Sequence, residues 1–275
     1  MPFSSPTNTS FQLVTDQMGH EVKLLPNPSR IISLVPSQTE LLFYLGLSDK
    51  VVGLTKFCIH PKNEVREKSI IGGTKNFNLE IIRQLQPDLI IGNKEENYQE
   101  GIKALRQHYQ VWMSDINSLT DAVDMIIKIA AITGTQEKAK VLISTIESGF
   151  RNLFYLNPIP TAYFIWRNPY IAVGSNTFIH EIMDKAGLRN VFAHLSRYPV
   201  ITPEMLKKTN PQLILLSSEP YPFREKHITE IKQLCPGATV KLVDGEMFSW
   251  YGSRLQYTPA YLQTLQKLFL SETGI

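Results

Sequence analysis

Short apolar runs alternate with amphipathic stretches along the first half of the chain. The runs are bounded by turn-forming residues, which is typical of strands buried on both faces of a parallel sheet. The predicted strands are residues 30–35, 51–54, 89–91 and 111–113, and the predicted helices between them are 38–45, 79–85 and 101–107. Residues 11–25 alternate around Met18-Gly19 and predict a β-hairpin. Ser37 is expected to cap the first helix and Gly46 to end it. This alternation predicts an α/β lobe.

The pattern changes between Ser118 and Leu153, where no strand is predicted. Ser118 and Asp121 have the spacing of a capping box. Helical periodicity follows to Thr133, is interrupted at Gly134 and resumes to about residue 150. We therefore predict an N-terminal lobe at 1–117, a helical linker at 118–157 and a C-terminal lobe at 158–275.

The second half returns to the alternating pattern. The predicted strands are 162–166, 170–173, 213–216 and 239–243, and the predicted helices include 225–234 and one from about 259. Residues 180–188 also echo residues 39–47, which predicts that the two lobes are similar.

A repeated motif supports this similarity. Residues 78–91 read NLEIIRQLQPDLII and residues 202–215 read TPEMLKKTNPQLIL, at a constant offset of 124 residues. Each copy predicts a short helix, a proline stop and an apolar strand. A unit that recurs once, half a chain apart, indicates two lobes with a ligand cleft between them rather than a solenoid.

Composition excludes several classes of protein. The chain has 275 residues, of which 43% are hydrophobic, with a net charge of +3 and no dense basic tract, so nucleic acid is not an expected partner. The two cysteines, Cys58 and Cys235, are expected to be free thiols. No apolar run approaches the ~18 residues of a membrane span. The first residues do not resemble a secretory signal.

Three stretches together resemble a known family. They are ISLVPSQTELLFYLGL at 32–47 and the two copies of the repeat. Between about Arg30 and Leu270 the chain resembles the substrate-binding proteins of ABC importers for vitamin B12, siderophores and haem. The resemblance implies two Rossmann-like lobes with central parallel sheets, joined by a long rigid interlobe helix, as in class III periplasmic binding proteins. It implies a monomer that delivers a corrinoid or metal chelate to a membrane permease, without catalysis or a cofactor.

The resemblance also implies that Glu80 and Glu204 dock onto arginines of the permease. Two separated carboxylates suit a basic surface, because they set register and steer association. The alternative is that each glutamate stabilises the first turn of its own helix through the helix dipole.

Ligand contacts are expected at the carboxyl ends of the strands, where parallel α/β sheets bind ligands. The candidate residues that follow strand ends or neighbouring turns are Ser37, Phe57, His60, Lys94, Trp166, Arg167, Tyr198, Arg224, Glu246, Trp250, Tyr251 and Arg254.

Residues 246–254 combine aromatic faces with a guanidinium, which suits a large planar or polyanionic ligand. The alternative is a loop that packs onto its own lobe, with Arg254 paired to Glu246 or Asp244. Cys58 and His60 could ligate a soft metal, but a closed zinc site needs four ligands, so we predict no metal site.

A second function stays open, because the chain as written shows no export signal. It is a cytoplasmic enzyme or carrier that reuses the bilobal fold, with Lys56, His60, Glu95 and Arg254 as acid/base or anion-binding groups. The family resemblance instead places the protein in the periplasm or cell envelope. No catalytic motif such as G-x-S-x-G, a P-loop or H-E-x-x-H is present in the sequence.

Overall fold

The computed structural model describes residues 11–153 and 158–273. Contacts divide the chain into two units. Unit 1 is the chain up to Asp115 together with Asp121–Ile143, and unit 2 is Ile116–Thr120 together with the chain from Ser144 onward. The predicted linker, 118–157, is therefore shared between the units.

Unit 1 is built on a five-stranded parallel sheet with strand order β5-β4-β3-β8-β9. The predicted hairpin is confirmed as antiparallel β1 and β2, and a second small hairpin, β6 and β7, was not predicted. The strands are β1 (Gln12–Thr15), β2 (Glu21–Leu24), β3 (Ile31–Ser33), β4 (Val51–Leu54), β5 (Ser69–Ile70), β6 (Gly72–Gly73), β7 (Asn76–Phe77), β8 (Leu89–Asn93) and β9 (Val111–Ser114).

Six helices accompany this part of the chain. They are α1 (Pro36–Tyr44), α2 (Lys62–Val65), α3 (Leu79–Leu85), α4 (Gln99–Arg106), α5 (Leu119–Thr133) and α6 (Gln136–Arg151). Gly134, with a φ of +72°, separates α5 from α6, so the predicted interruption is confirmed. Both helices continue from one unit into the other.

Unit 2 contains a second five-stranded sheet. Its order is β11-β10-β13-β14, with β12 also pairing β10. All pairings are parallel except β10 with β11. The strands are β10 (Ile159–Trp166), β11 (Ile171–Ala172), β12 (Leu188–Asn190), β13 (Leu213–Ser217) and β14 (Thr239–Val243). The helices are α7 (Phe178–Lys185), α8 (Pro203–Thr209), α9 (Glu225–Leu234), α10 (Glu246–Ser249) and α11 (Thr258–Thr273).

Each sheet lies in an apolar core of its own unit. Trp112 of β9 is fully buried in unit 1, and Phe164 and Phe192 are fully buried in unit 2. Phe192 packs edge-on against Phe164 with ring centroids 6.5 Å apart. Cys58 and Cys235 are both buried free thiols, as predicted. Within the described ranges, no helix combines the length and apolar character that a membrane crossing needs.

The repeat is preserved in backbone detail. Asn78 and Thr202 each cap a seven-residue helix with a side-chain oxygen, and Gln86 and Asn210 end those helices with the same left-handed conformation, φ 44° and ψ 59°. Such left-handed residues are common at helix ends, where they satisfy the last carbonyl groups. The matched caps and ends confirm the similarity of the two copies.

Candidate functional site

The carboxyl end of β8 is closed by neutral polar side chains. Asn97 Oδ1 accepts a hydrogen bond from the Asn93 backbone N–H at 2.9 Å, and Asn93 Nδ2 donates to Ser114 Oγ at 3.0 Å. Gln38 Nε2 also donates to Ser114 Oγ, at 2.6 Å. All four residues are buried. These hydrogen bonds hold the strand end in place, and the buried Gln38 Oε1 is left without a hydrogen-bond partner within the described residues.

Ser37 does not cap α1. The helix begins at Pro36, and its cap residue, Val35, makes no side-chain hydrogen bond. The reason is that Pro36 already has the backbone angle of a first helical residue, which moves the helix start ahead of Ser37. The Ser37 hydroxyl is buried and has no hydrogen-bond partner within the described residues. A contact between Ser37 and a ligand stays a prediction.

The loop after β4 exposes an aromatic ring. Phe57 is 51% exposed, and Lys56 Nζ lies 5.2 Å from its ring centroid. His60 lies in the same loop and is half-buried. An exposed aromatic ring suits contact with a ligand that has an apolar face.

Cys58 is placed as a structural thiol. Its Sγ lies 3.0 Å from Thr39 Oγ1 and 3.3 Å from Thr55 Oγ1. Burial raises the pKa of the thiol, which disfavours the thiolate that metal binding requires. Across residues 11–153 and 158–273, no group of three or more His, Cys, Asp or Glu side chains is arranged to hold a metal ion.

In unit 2, Trp166 at the end of β10 presents an exposed aromatic ring. It is 39% exposed and packs edge-on against Tyr221, with ring centroids 5.7 Å apart. Tyr221 follows β13, and it also packs at 4.8 Å on the buried Phe223. Trp166 therefore has a fixed orientation while part of its indole faces solvent.

Tyr221 is held by His227. The Arg224 backbone N–H donates to His227 Nδ1 at 2.9 Å, so the neutral imidazole carries its hydrogen on Nε2. That nitrogen lies 3.3 Å from the Tyr221 hydroxyl. Burial lowers the pKa of His227, which favours this neutral form. The hydroxyl oxygen of Tyr221 therefore accepts from His227, and its own hydrogen is available to a ligand.

Arg167 is bound to a carboxylate of its own unit. Its Nη2 lies 2.9 Å from Glu230 Oε2, and its Nε donates to the same oxygen at 3.0 Å. Tyr170 donates a further short hydrogen bond to Glu230. Burial opposes ionisation of Glu230, but the hydrogen bonds from Tyr170 and Arg167 hold its pKa below the usual range. The hydrogen bond that Arg167 donates to Glu230 in turn raises the pKa of Arg167.

Residues 246–254 form a second cluster, in which charged and aromatic side chains contact one another. Arg254 Nη1 lies 2.8 Å from Glu246 Oε2, and the guanidinium lies 4.8 Å from the ring centroid of Trp250. Trp250 and Tyr251 are both buried. This arrangement matches the alternative in which the loop packs onto its own unit. The ligand role of these residues stays a prediction.

Glu219 joins the same cluster and is absent from the predicted set. Its Oε1 accepts hydrogen bonds from Trp250 Nε1 at 2.9 Å and Ser249 Oγ at 2.8 Å. Burial raises its pKa above the usual range, and the nearby carboxylates of Glu246 and Asp244 add to the effect. Glu219 and Tyr221 both lie in the stretch 219–224, from which sequence analysis selects only Arg224. Their polar and aromatic character is visible in the sequence, but their partners are not.

Three other predicted residues, Lys94, Tyr198 and Arg224, lie outside the clusters described above. Lys94 is exposed, and its Nζ lies 2.6 Å from Asp115 Oδ2. Tyr198 is half-buried beneath the guanidinium of Arg197, 5.6 Å from the ring centroid. Arg224 is exposed at the start of α9.

Glu80 and Glu204 occupy matched positions in α3 and α8. Both are exposed in the first turn of their helix. A hydrogen bond from Arg83 lowers the pKa of Glu80, and hydrogen bonds from its own backbone and from Thr202 lower the pKa of Glu204. Both side chains are therefore carboxylates at neutral pH.

Comparison with known proteins identifies relatives of the chain. The family model described as periplasmic binding protein matches residues 31–234. An uncharacterized ABC transporter substrate-binding lipoprotein of Bacillus subtilis is 25% identical over 223 residues, covering 74% of this chain and 68% of that protein. A vitamin B12-binding protein of Photorhabdus laumondii is 26% identical over 196 residues, covering 69% and 71%.

Solved structures share the fold. A periplasmic haem-binding protein of Roseiflexus sp. RS-1 superposes with a TM-score of 0.75 at 20% identity, covering 88% of this chain and 98% of that one. The vitamin B12-binding protein of Vibrio cholerae superposes with a TM-score of 0.70 at 21% identity, with the same coverage. The predicted fold class, that of the class III periplasmic binding proteins, is confirmed.

Proposed function

The chain belongs to the periplasmic binding protein family, and from that premise we propose that it captures a corrinoid or metal chelate and presents it to an ABC-importer permease. The observation that carries the proposal is the family match, which spans residues of both units. Relatives named for vitamin B12 and haem indicate the class of ligand. A family of binding proteins also favours capture without turnover over the enzyme alternative.

We propose that exposed aromatic side chains at the strand ends are contacts for the ligand. In unit 2, the support comes from the exposed Trp166 and from the Tyr221 hydroxyl, whose hydrogen is available because His227 donates to its oxygen. In unit 1, the exposed ring of Phe57 follows β4. Large planar or ring-shaped ligands gain binding energy by covering such rings, and polar groups at the edge set their orientation.

Glu80 and Glu204 are the proposed contacts with the permease. Support comes from their exposure, their charge at neutral pH and their matched positions at the start of α3 and α8. A groove of about 730 Å³ next to Glu80, lined in part by Leu79, Arg83 and Tyr109, leaves room for a side chain of the partner. We place the protein in the cell envelope, as its lipoprotein and periplasmic relatives imply.

A ligand titration tests the proposed function. Cyanocobalamin, haemin and ferric siderophores are titrated into the protein while tryptophan fluorescence and the melting temperature are recorded. Of the three tryptophans, Trp112 and Trp250 are buried and Trp166 is exposed, so Trp166 should report a bound ligand.

The matched variants are Trp166→Phe, which keeps an aromatic ring, and Trp166→Ala, which does not. We expect Trp166→Phe to lose most of the fluorescence response but keep affinity, and Trp166→Ala to lose affinity. Absence of binding by every compound in the series would refute the proposed function.

A further inference from the structure

The cations predicted to meet the ligand are mostly neutralised by carboxylates of the same unit. Four lysine or arginine side chains belong to the predicted ligand set, namely Lys94, Arg167, Arg224 and Arg254. Three of them form ion pairs, with Asp115, Glu230 and Glu246 respectively. Arg224 is the only one of the four for which the described residues supply no ion pair.

The three pairs differ in how firmly they are held. The side chains of Arg254 and Glu246 are only 11% and 14% exposed, and Trp250 lies against the guanidinium. Arg167 uses two nitrogens on Glu230, which Tyr170 also contacts. Separating Arg254 from Glu246 would leave a poorly solvated carboxylate without its cation, which is strongly unfavourable. Separating Arg167 from Glu230 would break a contact made by two nitrogens with a carboxylate that is 34% exposed. The pair of Lys94 and Asp115 is weak, because the lysine side chain is 55% exposed.

An anionic ligand would therefore meet unfavourable charges. Near Arg254 it would approach Glu246 and also the half-buried Glu219, which hydrogen-bonds Trp250. Like charges at short range in a poorly solvated place repel each other strongly. The ligand would gain little from Arg254 or Arg167, because each guanidinium already interacts with a carboxylate.

Apart from Arg224 and the weakly paired Lys94, the groups left for a ligand are aromatic and neutral. Phe57 is the exposed ring after β4, Trp166 is the exposed ring after β10, and Tyr221 supplies a hydroxyl hydrogen. Surfaces of this kind favour ligands with apolar faces and hydrogen-bond acceptors at the edge.

We propose that this protein selects ligands of low net charge, neutral corrinoids or neutral metal chelates, and discriminates against polyanionic ones. The selection is produced by carboxylates that neutralise the arginines at the strand ends, chiefly Glu230 and Glu246. This inference rests on the proposed function, because it assumes that the predicted residues contact the ligand.

Two matched pairs of ligands test the charge preference. Cyanocobalamin, which is neutral, is compared with haemin, which carries propionates. A neutral ferric tris-hydroxamate is compared with a trianionic ferric tris-catecholate. We expect the neutral member of each pair to bind at least about tenfold more tightly, a difference of about 1.4 kcal/mol. Its affinity should change little with salt, because no exposed charge pair would contribute.

The variant Glu230→Gln tests the cause of that preference, because it frees Arg167 while keeping the shape of the side chain. We expect it to improve haemin binding relative to cyanocobalamin by about tenfold, the effect of one released charge at short range. Glu225→Gln is the matched control, since Glu225 is exposed on the same helix, α9, and changes charge equally. Glu225→Gln should leave the ratio of the haemin and cyanocobalamin affinities unchanged.

The outcomes are distinguishable. Tighter binding of the anionic members, weakened by salt, would overturn the inference and leave the proposed function intact. A neutral preference that Glu230→Gln does not alter would show that the ion pairs are not its cause and would also overturn the inference. Failure of all four ligands to bind would overturn the proposed function, and the inference with it.

Discussion

The strands β8 and β13 occupy matched positions in the two copies of the repeat, and each ends in a buried polar residue. After β8, Asn93 is held by Asn97 and Ser114, which are neutral. After β13, Ser217 accepts from Tyr163 at 3.2 Å and donates to the Glu219 carbonyl at 2.6 Å, and Glu219 leads into a charged cluster. The comparison shows that the repeat preserves the backbone, while the residue types after each strand decide the chemistry of the strand end.

The helices that precede these strands, α3 and α8, also share their backbone conformation and differ in the contacts of their side chains. Both carry a glutamate at the second helical position. Glu80 is paired with Arg83 at 2.9 Å, whereas a hydrogen bond from Thr202 contributes to the lowered pKa of Glu204. The glutamate is thus the shared feature of the two helices, and its local hydrogen-bond partner is the difference.

The largest effect is expected when both copies lose their glutamate. Glu80→Ala with Glu204→Ala should reduce ligand uptake by an order of magnitude or more, because two ionic contacts with the permease would be lost. Ligand affinity of the purified protein should not change. Uptake by cells carrying the variants and a titration of the purified proteins measure the two quantities. Glu100→Ala, exposed on α4, is the control. Loss of affinity instead of uptake would assign these residues to the ligand.

Breaking the charged cluster of unit 2 should have the next largest effect. Glu246→Ala leaves Arg254, whose side chain is only 11% exposed, without the carboxylate of Glu246 and should lower the free energy of unfolding by about 3 kcal/mol. Asp115→Ala breaks the exposed pair with Lys94 in unit 1 and should cost less than about 1 kcal/mol. Urea unfolding followed by circular dichroism gives both values. Equal values would mean that burial does not distinguish the two pairs.

Breaking the neutral network of unit 1 should cost somewhat less. Asn97→Ala leaves the buried Asn93 backbone N–H and the Thr74 carbonyl without this partner, and we expect a loss of about 2 kcal/mol. No charge is removed, so the loss should be the same at pH 5 and pH 8. A loss that varied strongly with pH would contradict the neutral description of this strand end.

Glu219→Gln should change the free energy of unfolding by a smaller amount, which depends on pH and stabilises the protein. The raised pKa of Glu219 means that the folded protein holds its proton more tightly than the unfolded chain does, so stability falls as pH rises through the folded pKa. Glutamine keeps an acceptor for Trp250 and does not titrate.

The variant should therefore match the wild type at pH 4 and become the more stable protein as pH rises to 8. Melting temperatures across this range measure the difference. Glu100→Gln, at an exposed position of α4 in unit 1, is the control. A variant that is less stable at pH 8 would show that the charge of Glu219 is needed in the fold.

The smallest effects are expected at the left-handed helix ends. Gln86 and Asn210 share the same φ and ψ, but asparagine tolerates this conformation better than glutamine. Gln86→Gly should stabilise the protein by about 0.5–1 kcal/mol, because glycine removes the strain of the left-handed conformation. Asn210→Gly should stabilise it by only a few tenths of a kcal/mol, because asparagine is less strained there. In both variants the greater entropy of glycine in the unfolded chain offsets part of the gain. Paired urea titrations test the order. The reverse order would indicate that Gln86 makes a contact that offsets its strain.

Most of the fold could be predicted from patterns that act over a few residues. The predicted bounds of α9 and β14 agree with the structure, because both segments have strong periodicity and clear ends. The three-residue strand β12 was not predicted, since its strand character depends on pairing with β10. The start of α1 differs from the prediction because Pro36, rather than Ser37, sets it.

The candidate site was less predictable than the fold. The sequence shows which residues follow each strand. For Arg254 it allows two alternatives, contact with a ligand or a pair with a carboxylate of the same loop. It did not indicate that Arg167 pairs with Glu230, 63 residues away, because nothing in the local pattern relates the two. It also left out Glu219 and Tyr221, whose roles depend on Trp250 and His227.

Local information thus accounts for the α/β class, the repeat and its glutamates, and the likeness to importer binding proteins, because periodicity, caps and motifs act over short distances along the chain. The tertiary structure decided which aromatic rings are exposed, which cations are neutralised and which carboxyl group has a raised pKa. Those properties depend on burial and on the distances between charges. Both are set when folding brings together residues that are far apart in the sequence, so local patterns do not predict them.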